Sequence, residues 1–107
     1  MPAGSLEHVN ISVTNPARSA RLLQDLLGWE IRWEGPAMNG VHTIHVGDAA
    51  TYLALYTNPQ TAGGFAKSQP LNHVGLLVDD LEAAEKAVME TGLKPFNHGA
   101  YAPGRLF

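Results

Sequence analysis

LEHVNISVTNPARSARLLQDLLGW, residues 6–29, returns sixty-five positions later as LNHVGLLVDDLEAAEKAVMETGL, residues 71–93, and the reading of this repetition decides the fold. In each copy a histidine, His8 or His73, stands near the start of an apolar strand. The strand leads into an amphipathic helix that ends at a glycine, Gly28 or Gly92. A unit written twice that carries the same ligand-competent side chain implies a pseudo-twofold site between the copies.

Working outward, Val9, Ile11 and Val13 alternate with His8, Asn10 and Ser12 at strand period. Asn15 is placed to cap a helix with Pro16 at its first position, where a missing N–H costs nothing, and Leu22, Leu23, Leu26 and Leu27 form its apolar stripe. WEIRWEG alternates again, with Trp29, Ile31 and Trp33 set against Glu30, Arg32 and Glu34. VHTIHV and TYLALY read as two further strands joined by a turn at Gly47-Asp48. The first unit, residues 5–58, is therefore β-α-β-β-β. The glycine, proline and polar composition of TNPQTAGGFAKSQP, residues 57–70, marks a linker, bounded at 59–70.

In the second unit, residues 71–107, Val74, Leu76 and Val78 mirror the first strand, and Asp79 with Glu82 offers a D-x-x-E capping signal for the next helix. A strand around Leu93 to Phe96 and a loop NHGAYAPG follow. The sequence closes at Arg105-Leu106-Phe107 where the first copy would still have most of its third strand and its whole fourth strand ahead. The second unit is expected to be incomplete.

Composition narrows the function. With 107 residues there is one domain with a modest core, and a net charge of −3 gives no basic footprint for nucleic acid. There is no cysteine, which excludes disulfides, thiolate metal sites and a cysteine nucleophile. No apolar run is long enough to cross a bilayer and no signal-like N-terminus is read, so a cytoplasmic location is expected, with no membrane partner.

Parity assigns the faces. Val9, Ile11 and Val13 must lie under the leucine stripe, which leaves His8, Asn10 and Ser12 on the opposite, ligand-facing side, with His73 its equivalent in the second copy. On TYLALY, Tyr52, Ala54 and Tyr56 share one face and are expected on the same wall. His45 shares a face with Thr43 and is a further candidate. His42 is expected at an edge, Trp29 and Trp33 in packing, Glu30 and Glu34 on a solvated face, and His98 in a loop. Tyr52, Ala54, Tyr56, Asn10 and His45 make a small-molecule pocket with aromatic walls and few polar anchors.

The doubled β-α-β-β-β order, the openings LEHVNISV and LNHVGLLV, the Asn15-Pro16 helix start and the ending LLGW at Leu26 to Trp29 resemble the vicinal oxygen chelate superfamily. That superfamily includes glyoxalase I, extradiol dioxygenases, fosfomycin-resistance and bleomycin-resistance proteins. The resemblance implies an α+β fold in which two modules curl a mixed sheet into a cup. It implies a divalent metal, Zn, Mn, Fe or Ni, with His8 and His73 at the first-strand ligand positions. Ala54 stands where glyoxalase I carries a fourth-strand carboxylate, and the final strand's carboxylate is lacking. The fosfomycin-resistance pattern fits better, short of its glutamate, and glyoxalase I activity is not expected. Metal should be weakly held or absent in this chain. Two functions follow from the resemblance: a metal-dependent enzyme acting on a small oxygen-bearing substrate, or a metal-free protein of the bleomycin-resistance type that sequesters an aromatic or cationic molecule. An unpaired sheet edge in the second unit would favour a homodimer.

Overall fold

A computed structural model describes residues 3–38, 40–58, 71, 73–101 and 104–107. The expected linker 59–70 lies outside the described residues. Alternation in HVNIS forms strand β1 (His8–Ser12), with Val9 and Ile11 half-buried and His8, Asn10 and Ser12 exposed. The next helix, α1 (Pro16–Leu27), starts where expected: Asn15 is extended, and its side-chain carbonyl accepts the Arg18 N–H at 3.1 Å. It ends at Gly28, whose φ of 68° is the left-handed conformation that lets its N–H reach the Gln24 carbonyl at 2.9 Å.

Strands β2 (Glu30–Pro36), β3 (His42–Gly47) and β4 (Tyr52–Tyr56) complete a mixed sheet in the order β1-β4-β3-β2. Strand β4 runs parallel to β1, in register from His8 opposite Tyr52 to Ser12 opposite Tyr56, and antiparallel to β3. Ala20 and Leu23 of α1 bury against Ile44, Val46, Leu53 and Leu55, with Val9, Ile11, Val13, Leu27 and Trp29 packed around them. Leu55 and Val46 are fully buried, and each such side chain stabilises by about 1.5–3 kcal/mol. The core therefore lies between α1 and one face of the sheet, and no helix of the described residues packs on the other face.

One strand departs from simple alternation. Ile31 pairs with Val46 but Trp33 pairs with His45, its direct neighbour, so Arg32 is an extra residue in a β-bulge. Past the bulge the parity of β2 is inverted. Trp33, expected to pack with Trp29 and Ile31, shares the open face with His45 and is 46% exposed, whereas Trp29 packs on the core.

The second unit is short. Helix α2 (Leu81–Glu90) packs on α1 and is followed by Gly92 at φ 89°. Its cap is Asp80, which accepts the Ala83 N–H at 3.0 Å, and not Asp79; Glu82 pairs instead with Arg105. The strand expected over residues 73–78 joins no ladder among the described residues. Its counterpart β1 is held by β4, and no equivalent of β4 stands beside 73–78 among the described residues. Nor do residues 93–96 form a strand. The expected loop instead contributes to a hairpin, β5 (Gly99–Tyr101) with β6 (Gly104–Leu106), tied to α2 by pairs of His98 with Glu85 and Arg105 with Glu82. The fold class is α+β with a mixed four-stranded sheet. No helix of the described residues is long and apolar enough to cross a membrane.

Candidate functional site

The open face of the sheet carries a row of rings, one from each strand in spatial order. His8 of β1 stacks on Tyr52 of β4 at 4.9 Å between centroids, Tyr52 on His45 of β3 at 4.6 Å, and His45 meets Trp33 of β2 at 4.9 Å. Each step follows from register. His8 lies directly across from Tyr52 and His45 from Trp33, while Tyr52 lies opposite Gly47, where a Cβ would press on the Tyr52 Cα and Cβ. Gly35 plays a similar part for the last ring, because a Cβ there would stand 2.9 Å from the Trp33 indole.

Arg32 joins the row through the bulge. Its guanidinium carbon lies 4.5 Å from the Tyr52 ring centroid, and Nη1 donates to the Asp48 carbonyl oxygen at 3.2 Å. The Asp48 carboxylate is turned into its own loop, where it accepts the N–H groups of Ala50 and Thr51 at 2.8 and 2.9 Å, and these bonds hold its pKa below the usual value. Desolvation lowers the His45 pKa, His8 and Arg32 lower it further, and Glu7 opposes them weakly. His45 is accordingly a neutral imidazole at pH 7. At the other end His8 Nδ1 lies 2.9 Å from Glu7 Oε1. A carboxylate only accepts, so the Nδ1–H donates and, in the neutral ring, Nε2 keeps its lone pair.

The expected site residues fall into two groups. His8, Asn10, His45, Tyr52, Ala54 and Tyr56 all lie on the open face, with Ala54 opposite both Asn10 and His45. Ala54 is only 3% exposed, so it forms the floor beneath its neighbours rather than a wall. His73 is exposed and stands one residue before a segment, Val74 to Leu77, that lines a cleft of ≈ 340 Å³ with Leu6, His8 and Tyr52 at the open edge of β1. Arg32 and Trp33 escaped sequence reasoning because the bulge is invisible to alternation. The one available signal was Gly35, an isolated strand glycine of the kind that marks a bulge or a close approach.

A divalent ion would need at least three convergent donors. Among the described residues no three of His, Cys, Asp or Glu gather to hold one. His8 and His45 have the Tyr52 ring between them in strand order, and Ala54 offers no donor where a carboxylate would complete the set. The side chains described here do not fit a resident metal.

Comparison with known proteins agrees with this architecture. Residues 5–95 match the family model of the Glyoxalase/Bleomycin resistance protein/Dioxygenase superfamily. The chain belongs to that superfamily. Among solved structures, SMU.1112c aligns with a TM-score of 0.62 at 18% identity, over 94% of this chain and 84% of the other. A glyoxalase family protein from Enterococcus faecalis aligns at 0.61 and 16% identity, over 91% and 79%. The integron cassette protein VCH_CASS1 from V. Cholerae aligns at 0.52 and 18%, over 98% and 83%. At these identities the likeness is one of fold. No curated protein matches the chain.

Proposed function

We propose that this chain binds a small planar organic molecule on the open face of its sheet, by stacking against the ring row and without a resident metal. The observation that carries the reading is the continuous series His8, Tyr52, His45, Trp33, each ring within 5 Å of the next. In an isolated sheet such rings would be scattered by alternation. Here a bulge and two glycines bring them together on the face the core does not use. Aromatic faces with few polar anchors suit stacking with a flat ligand.

Of the two functions the sequence allows, this is the binding one, and the donor set supports it: two imidazoles without a carboxylate leave a cation's charge uncompensated. The test is a titration of ¹⁵N-labelled protein with 1-naphthalenemethanol, an uncharged planar probe. Ring-current shifts should concentrate at the amides of His45, Ala54 and Tyr52. Shifts confined to α2 and the β5–β6 hairpin would refute the reading. Elemental analysis of the same sample should find much less than one divalent ion per chain, and one ion per chain would reinstate the metal-dependent enzyme.

A further inference from the structure

The bulge in β2 places two consecutive side chains, Arg32 and Trp33, on the same face, which a regular strand cannot do. One is a permanent cation and the other a half-exposed indole. Arg21 and Arg105 are paired with the carboxylates of Asp25 and Glu82. Arg32 is held differently, by one backbone carbonyl and the face of Tyr52. A guanidinium has five N–H donors in a rigid plane, and the bond to Asp48 uses one of them. The group is thus oriented, and among the described residues it forms no ion pair within 4.0 Å. Of the acids near the row, the Asp48 carboxylate attracts Arg32 through space but spends its hydrogen bonds in its own turn, and Glu7 is engaged with His8.

We propose that Arg32 and Trp33 select small aromatic carboxylates, with the carboxylate accepting from the Arg32 guanidinium and the attached ring lying against Trp33 and His45. The inference rests on the ring-row reading and adds the charge of its ligand. Planar, two-point recognition of a carboxylate is what a fixed guanidinium does best. A carboxylate attached directly to a ring matches two groups that are adjacent in the chain. A cationic ligand would have to displace or avoid Arg32 at this end of the row.

The experiment compares three probes that share one ring system, 1-naphthoate, 1-naphthalenemethanol and 1-naphthylmethylammonium, by calorimetry on the full chain at low salt. The expected order is naphthoate tightest, by about tenfold or more over the alcohol, as a charge-assisted hydrogen bond supplies. Arg32→Gln should abolish that preference, so that naphthoate and the alcohol bind alike, and the variant's far-ultraviolet circular dichroism and urea midpoint show that it is folded. Arg32→Lys should keep part of it, since charge remains and the fork is lost. The inference is overturned if the alcohol or the ammonium binds as tightly as naphthoate, or if Arg32→Gln keeps the preference. If none of the three binds, the ring-row reading itself falls and takes the inference with it.

Discussion

The Tyr52 ring lies nearly parallel to the His8 imidazole, 10° between planes, directly across the β1–β4 ladder, and within 4.6 Å of the His45 ring on the next strand. Tyr52 is therefore the link between two imidazoles that the sequence places thirty-seven positions apart. Replacing it with leucine keeps a strand-compatible apolar side chain but removes both stacks and the Arg32 cation–π contact. Tyr52→Leu is expected to cost about 1–3 kcal/mol, at about 0.5–1.5 kcal/mol for each aromatic pair, and to weaken 1-naphthalenemethanol binding at least about tenfold. Urea unfolding and calorimetry check the two effects, and unchanged affinity would mean that the row does not hold the ligand.

His45 gives the site a pH dependence with a definite sign. Its folded pKa lies below the 6.5 of the free side chain, chiefly through desolvation and then through His8 and Arg32. Between that folded value and 6.5 the unfolded chain binds more protons than the native one. The contribution of His45 to stability is complete above pH 6.5, declines as pH falls below it, and is lost once the pH has passed the folded value. His45→Phe keeps a ring against Tyr52 and cannot titrate. Relative to this variant the natural chain should lose stability between pH 7.5 and 5. A difference that stays constant over that range would contradict the assigned environment.

Association is the expected state in solution. Residues 74–77 bring Val74, Leu76 and Leu77 to the open edge of β1, and Leu77 is 98% exposed, with Leu93 and Phe96 exposed further along. Apolar side chains beside a strand edge that none of the described residues pairs favour pairing with another chain. Light scattering at micromolar concentration should report a homodimer, and Leu77→Lys should shift it toward monomer. A natural chain that stays monomeric at that concentration argues against this surface.

The first copy of the repeat was legible because its signals are local. Alternation fixed the faces of β1 and β4, Asn15 and Pro16 fixed the start of α1, and Gly28 fixed its end. The second copy carries an equally clear alternation in Val74, Leu76 and Val78, but a strand also needs a partner, and that is a non-local fact. The cap of α2 departs from its local signal for the same reason. Asp79 with Glu82 matches a capping box, yet Glu82 is taken by Arg105 from the hairpin, and Asp80 caps instead. At the site, parity found His8, Asn10, His45, Tyr52 and Ala54 on one face, while one extra residue in β2 hid Arg32 and Trp33.

Gly35 and Gly47 both make room for the row, but substitution should affect them differently. A Cβ on Gly47 would meet the Thr51 carbonyl oxygen at 2.2 Å and the Tyr52 backbone at 2.5 Å, atoms fixed by the β3–β4 turn and its Asp48-to-Thr51 hydrogen bond. Gly47→Ala must displace backbone, and a loss of about 1–3 kcal/mol or more is expected, as for overpacking elsewhere. At Gly35 the nearest atom, 2.9 Å away, belongs to the Trp33 indole, a half-exposed side chain that can turn aside. Gly35→Ala should therefore change stability by less than about 1 kcal/mol. It should still move Trp33 off His45, alter the indole's fluorescence and weaken binding of 1-naphthalenemethanol. Equal destabilisation by the two variants, or a Gly35→Ala protein with full affinity, would show that Trp33 is not held where the bulge places it.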